Sequence, residues 1–208
     1  MQLDVPFYPM TLGDKNYCGQ FVLKCIFKHL LGKEFDREYL ARISQKSDGG
    51  FTLTLGLVYA GLLEGLAVRF LTTSTDFISQ EGVVGDVGGF YGGASVDTLQ
   101  RTAKKLFQQS KKLGLVFEQK TPNLEDICRE LDNGHLVVAA IDYGKIYGSE
   151  RQIFHFALLT GYDNDSIYFH DVGPNRPTSH KQVTREQFLQ AWSAPGTDMD
   201  TAIFSRKT

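Results

Sequence analysis

The sequence has no segment suited to a membrane, no basic stripe and too little cysteine for a disulfide framework. No stretch approaches the eighteen or so consecutive apolar residues needed to cross a bilayer. Lys and Arg number 22 against 24 Asp and Glu, a formal net charge of −2. The densest basic cluster, Lys104, Lys105, Lys111 and Lys112, falls on a helix-like stretch and reads as a solvated face. Neither nucleic acid nor membrane is therefore expected as a partner. The three cysteines, Cys18, Cys25 and Cys128, are scattered and odd in number, which points to a reducing compartment. The start, Met1-Gln2-Leu3-Asp4-Val5-Pro6, has neither a basic n-region nor an apolar h-region, so the expected location is cytoplasmic. The five histidines (29, 135, 155, 170 and 180) lack zinc spacing, and Asp163-Asn164-Asp165 lacks the twelve-residue loop of a calcium hand. No metal and no cofactor are expected. The glycine-aromatic stretch 85–93 is not followed by Gly-Lys-Ser/Thr, which excludes a phosphate-binding P-loop. It reads either as a lid lining a cleft or as a plain connection.

What is present suffices for a core. Apolar residues make up 42% of the 208, and fifteen Phe and nine Tyr are spread along the chain. A helix is expected from Asn16 or Tyr17 to Leu31, where Gly32 stops it, and its apolar residues cover most of its circumference. Further helices fit 36–45, 54–65, 97–113, 123–132 and 184–192, with Thr54, Ser95 or Asp97, and Asn123 as N-caps. Strands are expected at 67–72, 114–117, 135–142, 154–162, 166–171 and 200–205. Helices early and strands late imply one α+β domain over 1–208, with a cleft between two facing lobes.

Two places carry possible chemistry. Cys18, in Asn16-Tyr17-Cys18-Gly19-Gln20, falls in the first turn of the most apolar helix. Unpaired N–H groups and the positive end of the helix dipole converge there, and both favour thiolate over thiol. Gly19 beside it would let a ligand backbone approach, and Tyr17 is a second candidate lining residue, with Tyr91 a third. Cys25 and Cys128 sit inside apolar helical patterns and read as inert.

The second place is the pair His155 and Asp171, on two strands joined by an Asp-Asn-Asp turn. If the loop is the three residues 163–165, Tyr162 pairs with Ser166 and Ala157 with Asp171. His155 is then two positions away on the same face, in diagonal reach of Asp171. A loop of two or four residues would set them on opposite faces. An imidazole oriented by a carboxylate is what a thiol nucleophile needs beside it.

A Cys-Gly opening a buried helix near the N-terminus, a later strand with His-Phe, then Gly-Tyr-Asp and a strand ending in Asp, resembles the papain-like cysteine peptidases. The resemblance is strongest to their bacteriocin-processing, double-glycine leader peptidase branch, for which Val5-Pro6-Phe7-Tyr8 upstream of the Cys is also typical. The chain is similar, too, to the guanylyl cyclase domain-containing proteins. Leu55-Gly56, Gly134-His135-Leu136-Val137-Val138, His155-Phe156, Gly161-Tyr162 and Gly196-Thr197-Asp198 carry that likeness. That family also looks papain-like at these positions, and no cyclase chemistry is visible here.

The resemblance implies Cys18 as nucleophile, His155 as general base and acid, and Asp171 as the residue orienting it. It implies a two-lobe papain-like fold and attack on a peptide, protein or small amide substrate through an acyl-enzyme. One position departs: the family places Gln six residues before the Cys, and position 12 here is Leu. The oxyanion donors would then be the Cys18 backbone N–H with Asn16 or Gln20. Loss of one such donor typically costs about a hundredfold to a thousandfold in rate. A weak or silent peptide-binding domain, or an acyltransferase using the same three residues, are the other readings.

Overall fold

The computed structural model describes residues 1–14, 16–47, 50, 52–74 and 96–207. The stretch 85–93 with Tyr91, and the N-cap candidate Ser95, lie outside them. In chain order the elements are α1 (Cys18–Leu31), α2 (Arg37–Ile43), α3 (Thr54–Leu63), β1 (Leu66–Thr72), α4 (Val96–Lys112), β2 (Val116–Gln119) and α5 (Leu124–Asp132). There follow β3 (Leu136–Asp142), α6 (Tyr143–Tyr147), β4 (Phe154–Tyr162), β5 (Ser166–Asp171), β6 (Thr178–Thr184), α7 (Arg185–Trp192) and β7 (Thr201–Arg206). A 3-10 turn at Leu12–Asp14 precedes α1. This is an α+β fold. Among the described residues no helix is long and apolar enough to cross a membrane.

Among the described residues seven strands form one sheet in the order β2-β1-β7-β3-β4-β5-β6, in which β1 and β2 run parallel and the other neighbours antiparallel. β3 at the centre is a continuous apolar run because both its faces are covered. On one face, α1 to α4 pack around Val68, Phe70, Val138, Phe156, Leu158, Ala202 and Phe204. On the other, α5, α6 and α7 contribute Ile127, Leu131, Ile146, Phe188 and Trp192 over Val137, Ala139, Ile141, Ala157 and Leu159. The helices of the second half thus cover the face that those of the first half leave bare.

α1 is apolar all round, and Val22, Leu23, Cys25, Ile26 and Phe27 are fully buried. It ends at Gly32, whose φ of 68° lets its N–H reach Lys28 O at 3.1 Å. Its lower half is tied to α2 and α3 through Gln20, which is fully buried. The Gln20 Nε2 donates to Ser44 Oγ at 2.8 Å and Thr52 Oγ1 at 2.7 Å. α3 in turn needs glycine at position 56, where a Cβ would stand 2.3 Å from Ser44 O.

Most elements begin and end near their expected limits. Asn123 caps α5 in a reciprocal capping box with Asp126. α3 differs: Leu53 is its N-cap and Thr54 its first helical residue. β2 starts at Val116 rather than at 114, because Gly114, with φ 94°, turns its N–H back onto Lys111 O and Leu115 turns its own onto Ser110 O, closing α4. Two elements have no counterpart among the expected ones. β6 is a polar edge strand, Thr-Ser-His-Lys-Gln-Val-Thr, without an apolar alternation. α6 is a single five-residue turn, too short for a periodicity to register.

The register of β4 on β5 has a cause that the turn alone does not reveal. Tyr162 faces Ile167 and Gly161 faces Tyr168, which is the pairing of a four-residue loop. A β-bulge between Leu159 and Gly161 inserts one residue, so that beyond it Leu159 faces Phe169 and Leu158 faces His170. Continued by one step, that register sets Ala157 opposite Asp171. The bulge also receives the N-terminal segment: Leu3 N–H donates to Thr160 O at 2.7 Å, and Gln2 bridges Gly161. A Cβ on Gly161 would stand 2.4 Å from Met1 O, so this crossing requires glycine.

Gly56→Ala should lower stability by about 1–3 kcal/mol, the usual cost of overpacking, since the obstacle is backbone rather than a movable side chain. A shift of the urea midpoint to lower concentration with unchanged m-value checks it.

Candidate active site

Cys18 is the first residue of α1, and its N-cap Tyr17 offers no side-chain hydrogen bond. His155 is the second residue of β4 and Asp171 the last of β5. Along β4 the residues alternate, with Phe156 and Leu158 toward α1 and Ala157 and Leu159 toward the other face. His155 is in phase with the latter pair, as Asp171 is with Ile167 and Phe169. The thiol therefore comes from the helix layer on one face of the sheet, and the other two groups from strands in phase with the opposite face. They meet at the end of the sheet where β4 begins.

All three are buried: Cys18 is 7% exposed, the His155 side chain 9% and Asp171 0%. His155 Nε2 lies 3.8 Å from Asp171 Oδ1, and it is buried without a hydrogen-bond partner. Cys18 and His155 interact side chain to side chain. Burial by itself would push the Cys18 thiol up. The charge of His155, its hydrogen bond, and the backbone N–H groups of Phe156 and Gly19 outweigh burial and hold the thiol below its ordinary value. Burial would likewise push His155 down, but the charge and hydrogen bond of Cys18, with the charge of Asp171, leave it above its ordinary value. Opposite shifts in a touching thiol and imidazole favour thiolate with imidazolium. The other cysteines go the opposite way: burial pushes Cys25 up to about 11 and raises Cys128.

Asp171 is held by groups that the sequence did not single out. The Tyr143 hydroxyl donates to Oδ1 and Oδ2 at 3.0 and 2.9 Å, and the Tyr147 hydroxyl to Oδ2 at 2.5 Å. The Gly173 N–H donates to Oδ1 at 3.1 Å. Tyr143 also lays its ring against the imidazole, centroids 4.7 Å apart. The one available signal was a pair of tyrosines four residues apart just before the histidine strand.

The remaining candidates are placed differently. Gln20 engages its amide N–H groups with Ser44 and Thr52, so it is a core brace and offers no donor to an oxyanion. Gly19 is buried, and a Cβ there would meet Leu57 Cδ2 at 3.0 Å and Phe156 at 3.4 Å. Its lack of a side chain serves the approach of α1 to the sheet, rather than the approach of a ligand. Asn16 takes a left-handed turn, φ 66°, just ahead of α1. Tyr17 is half-buried, its ring clasped between the Arg37 guanidinium and the Lys46 ammonium, each 4.6 Å from its centroid. Leu12 is 68% exposed and apolar, so its side chain donates nothing. Among the described residues no group of three His, Cys, Asp or Glu side chains could hold a metal ion. A groove lined by His29, Asn133, His135 and Arg206 sits at the far end of α1 from Cys18, about 17 Å away along the helix.

Two solved structures share this architecture. The peptidase domain of Streptococcus ComA, a bi-functional ABC transporter involved in a quorum-sensing pathway, is 16% identical with a TM-score of 0.51. The match covers 96% of this chain and 96% of that one. A putative C39-like peptidase from Bacillus anthracis is 18% identical with a TM-score of 0.51, covering 99% of this chain and 96% of that one. These likenesses define the class of fold, that of the papain-like cysteine peptidases. The chain belongs to the Peptidase_C39-like family, whose model matches residues 2–198. No curated protein matches it.

Because the Cys18 thiol is lowered, its thiolate persists to lower pH than that of an ordinary thiol and is lost only as pH falls through that lowered value. An ordinary thiol at pH 6 is about 0.3% ionised. Alkylation by iodoacetamide at pH 6, followed by mass spectrometry, should modify Cys18 ahead of Cys25 and Cys128, and His155→Ala should slow it at least about tenfold. Equal Cys18 rates in the two proteins would contradict the coupling.

Proposed function

We propose that the protein is a cysteine-dependent peptidase or amidase, with Cys18, His155 and Asp171 as its catalytic set. The observation that carries this reading is the buried thiol at the start of α1, hydrogen-bonded to an imidazole and shifted opposite to it. In this reaction the Cys18 thiolate attacks a peptide or amide carbonyl, and the carbonyl π electrons move onto oxygen. Collapse of the tetrahedral intermediate expels the amine, which takes a proton from His155, and leaves a thioester on Cys18. His155, now neutral, takes a proton from water as the water attacks the thioester. The acid leaves and the thiolate–imidazolium pair returns. Asp171 steadies the imidazolium by its charge at 3.8 Å.

The oxyanion is the weaker part of the site. The Cys18 N–H, at a helix start that no side chain caps, is the backbone donor available to it. Leu12 and Gln20 contribute none, which favours a rate about a hundredfold to a thousandfold below that of a site with a side-chain donor. The same weakness favours an acyl-enzyme resolved slowly, by water or by an amine. Family membership, and the likeness to a peptidase domain and to a putative C39-like peptidase, support the peptidase class.

An activated ester such as p-nitrophenyl acetate bypasses substrate specificity. A burst of nitrophenol with an acetyl group on Cys18 is expected in the wild type. His155→Ala should reduce the acylation rate by about 10²–10⁴. The same acylation rate in both proteins, or an acetyl group elsewhere, would overturn the reading.

A further inference from the structure

The contact between His155 and Asp171 is unusual in one respect: the carboxylate is crowded with donors while the imidazole nitrogen facing it has none. Both oxygens of the fully buried Asp171 accept hydrogen bonds, from Tyr143, Tyr147 and the Gly173 N–H. His155 Nε2, buried and 3.8 Å away, makes no hydrogen bond. A buried carboxylate needs partners, and the imidazole alone could have supplied one. Here phenols stand in its place.

The scaffold behind those phenols is built for the purpose. Tyr143 and Tyr147 project from α6 four residues apart, their ring centroids 4.6 Å from each other. α6 is capped by Asp142, whose buried carboxyl accepts from Gly144 N–H at 2.9 Å and Ile153 N–H at 3.0 Å. Gly144 cannot carry a side chain, because a Cβ would meet Arg151 O at 2.4 Å. The chain thus closes on itself between α6 and the start of β4, which fixes the phenols relative to His155. On the outer side, the Tyr147 ring is flanked by Arg176 at 4.9 Å and Lys181 at 4.5 Å. Burial and the Asp171 hydrogen bond push the Tyr147 phenol up to about 12, and burial foremost raises Tyr143 as well, so both keep their protons as donors at neutral pH.

We propose that Tyr143 and Tyr147 are positioning residues that compete with His155 for Asp171, holding the carboxylate back so that it acts on the imidazole by charge rather than by a hydrogen bond. This rests on the catalytic reading above. The competition sets the basicity of His155 and, through it, that of Cys18. Tyr143 is the more direct of the two, since its hydroxyl occupies Oδ1, the oxygen nearest Nε2. Charged and titratable groups among the described residues face this set from several elements. They include Cys18 from α1, Asp142 from the end of β3, and Arg176 and Lys181 over Tyr147. α7, packed on α6, presents the uncharged Gln187, which donates to Ile146 O.

The test is the pH profile of Cys18 alkylation by iodoacetamide in the wild type, Tyr143→Phe, Tyr147→Phe and Asp171→Asn. Removing the Tyr143 hydroxyl frees Oδ1 to bond Nε2, which strengthens the imidazolium and lowers the thiol. The acidic limb should move down by about half a pH unit or more. Tyr147→Phe should move it the same way by less, and Asp171→Asn should move it up. A role limited to packing would leave the limb in place, or move it up as in Asp171→Asn, and either result in both tyrosine variants overturns the inference. Phe keeps both rings, and Tyr147→Phe carries the test if Tyr143→Phe does not fold. A wild-type limb at the ordinary thiol position overturns the catalytic reading and this inference together. A depressed wild-type limb that neither tyrosine variant moves overturns this inference alone.

Discussion

In the proposed function, the structure turns on the difficulty of keeping a thiolate and an imidazolium out of water. Each buried ion carries a desolvation penalty of several kcal/mol, and mutual attraction offsets it only when further donors are in place. Cys18 has such donors because it opens a helix. The N–H of Gly19 belongs to that first turn, the N–H of Phe156 to the strand beside it, and the helix dipole points its positive end at the sulfur. His155 is buried beside the sulfur and lies within reach of the Asp171 charge. Without α1 seated against the start of β4, none of these groups would converge.

That seating explains much of the core. α1 can approach β4 closely because Gly19 has no side chain between Leu57 and Phe156, and Gln20 braces the helix against Ser44 and Thr52. On the strand side, the bulge between Leu159 and Gly161 restores the phase that carries Asp171 to the same face as His155. The N-terminal segment locks that bulge. Leu3 bonds to Thr160, and His170 Nε2 donates to Val5 O at 2.9 Å. The His170 ring stays neutral, its value pushed down to about 4 by burial, and accepts the His180 N–H at Nδ1. The segment Val5-Pro6-Phe7-Tyr8 is therefore part of the frame behind β5, and Phe7 packs on the His170 ring at 5.0 Å.

Much of this was legible in the sequence because it follows from strong local rules. An apolar helix that begins at a cysteine and ends at a glycine announces both the helix and the environment of the thiol. The phase of His155 with Asp171 was also legible, though the loop assumed for it was one residue too short and the bulge supplied the difference. What stayed hidden depends on tertiary contacts without a local pattern. Gln20 sits two residues from Cys18 and points into the helix packing, which its polarity disguised. Tyr143 and Tyr147 lie on a single helical turn, and only the fold shows that their hydroxyls converge on Asp171. β6 was missed because an edge strand that buries only Val183 carries no apolar alternation to read.

The central claim is that Cys18 and His155 rest as an ion pair, and the most direct test observes the imidazole itself. Nitrogen-15 chemical shifts of His155 at pH 7.5 should show both ring nitrogens protonated in the wild type. In Cys18→Ala, with the sulfur's charge and hydrogen bond removed, the ring should be neutral at the same pH. A neutral imidazole in the wild type, with a shift that Cys18→Ala leaves unchanged, would contradict the account.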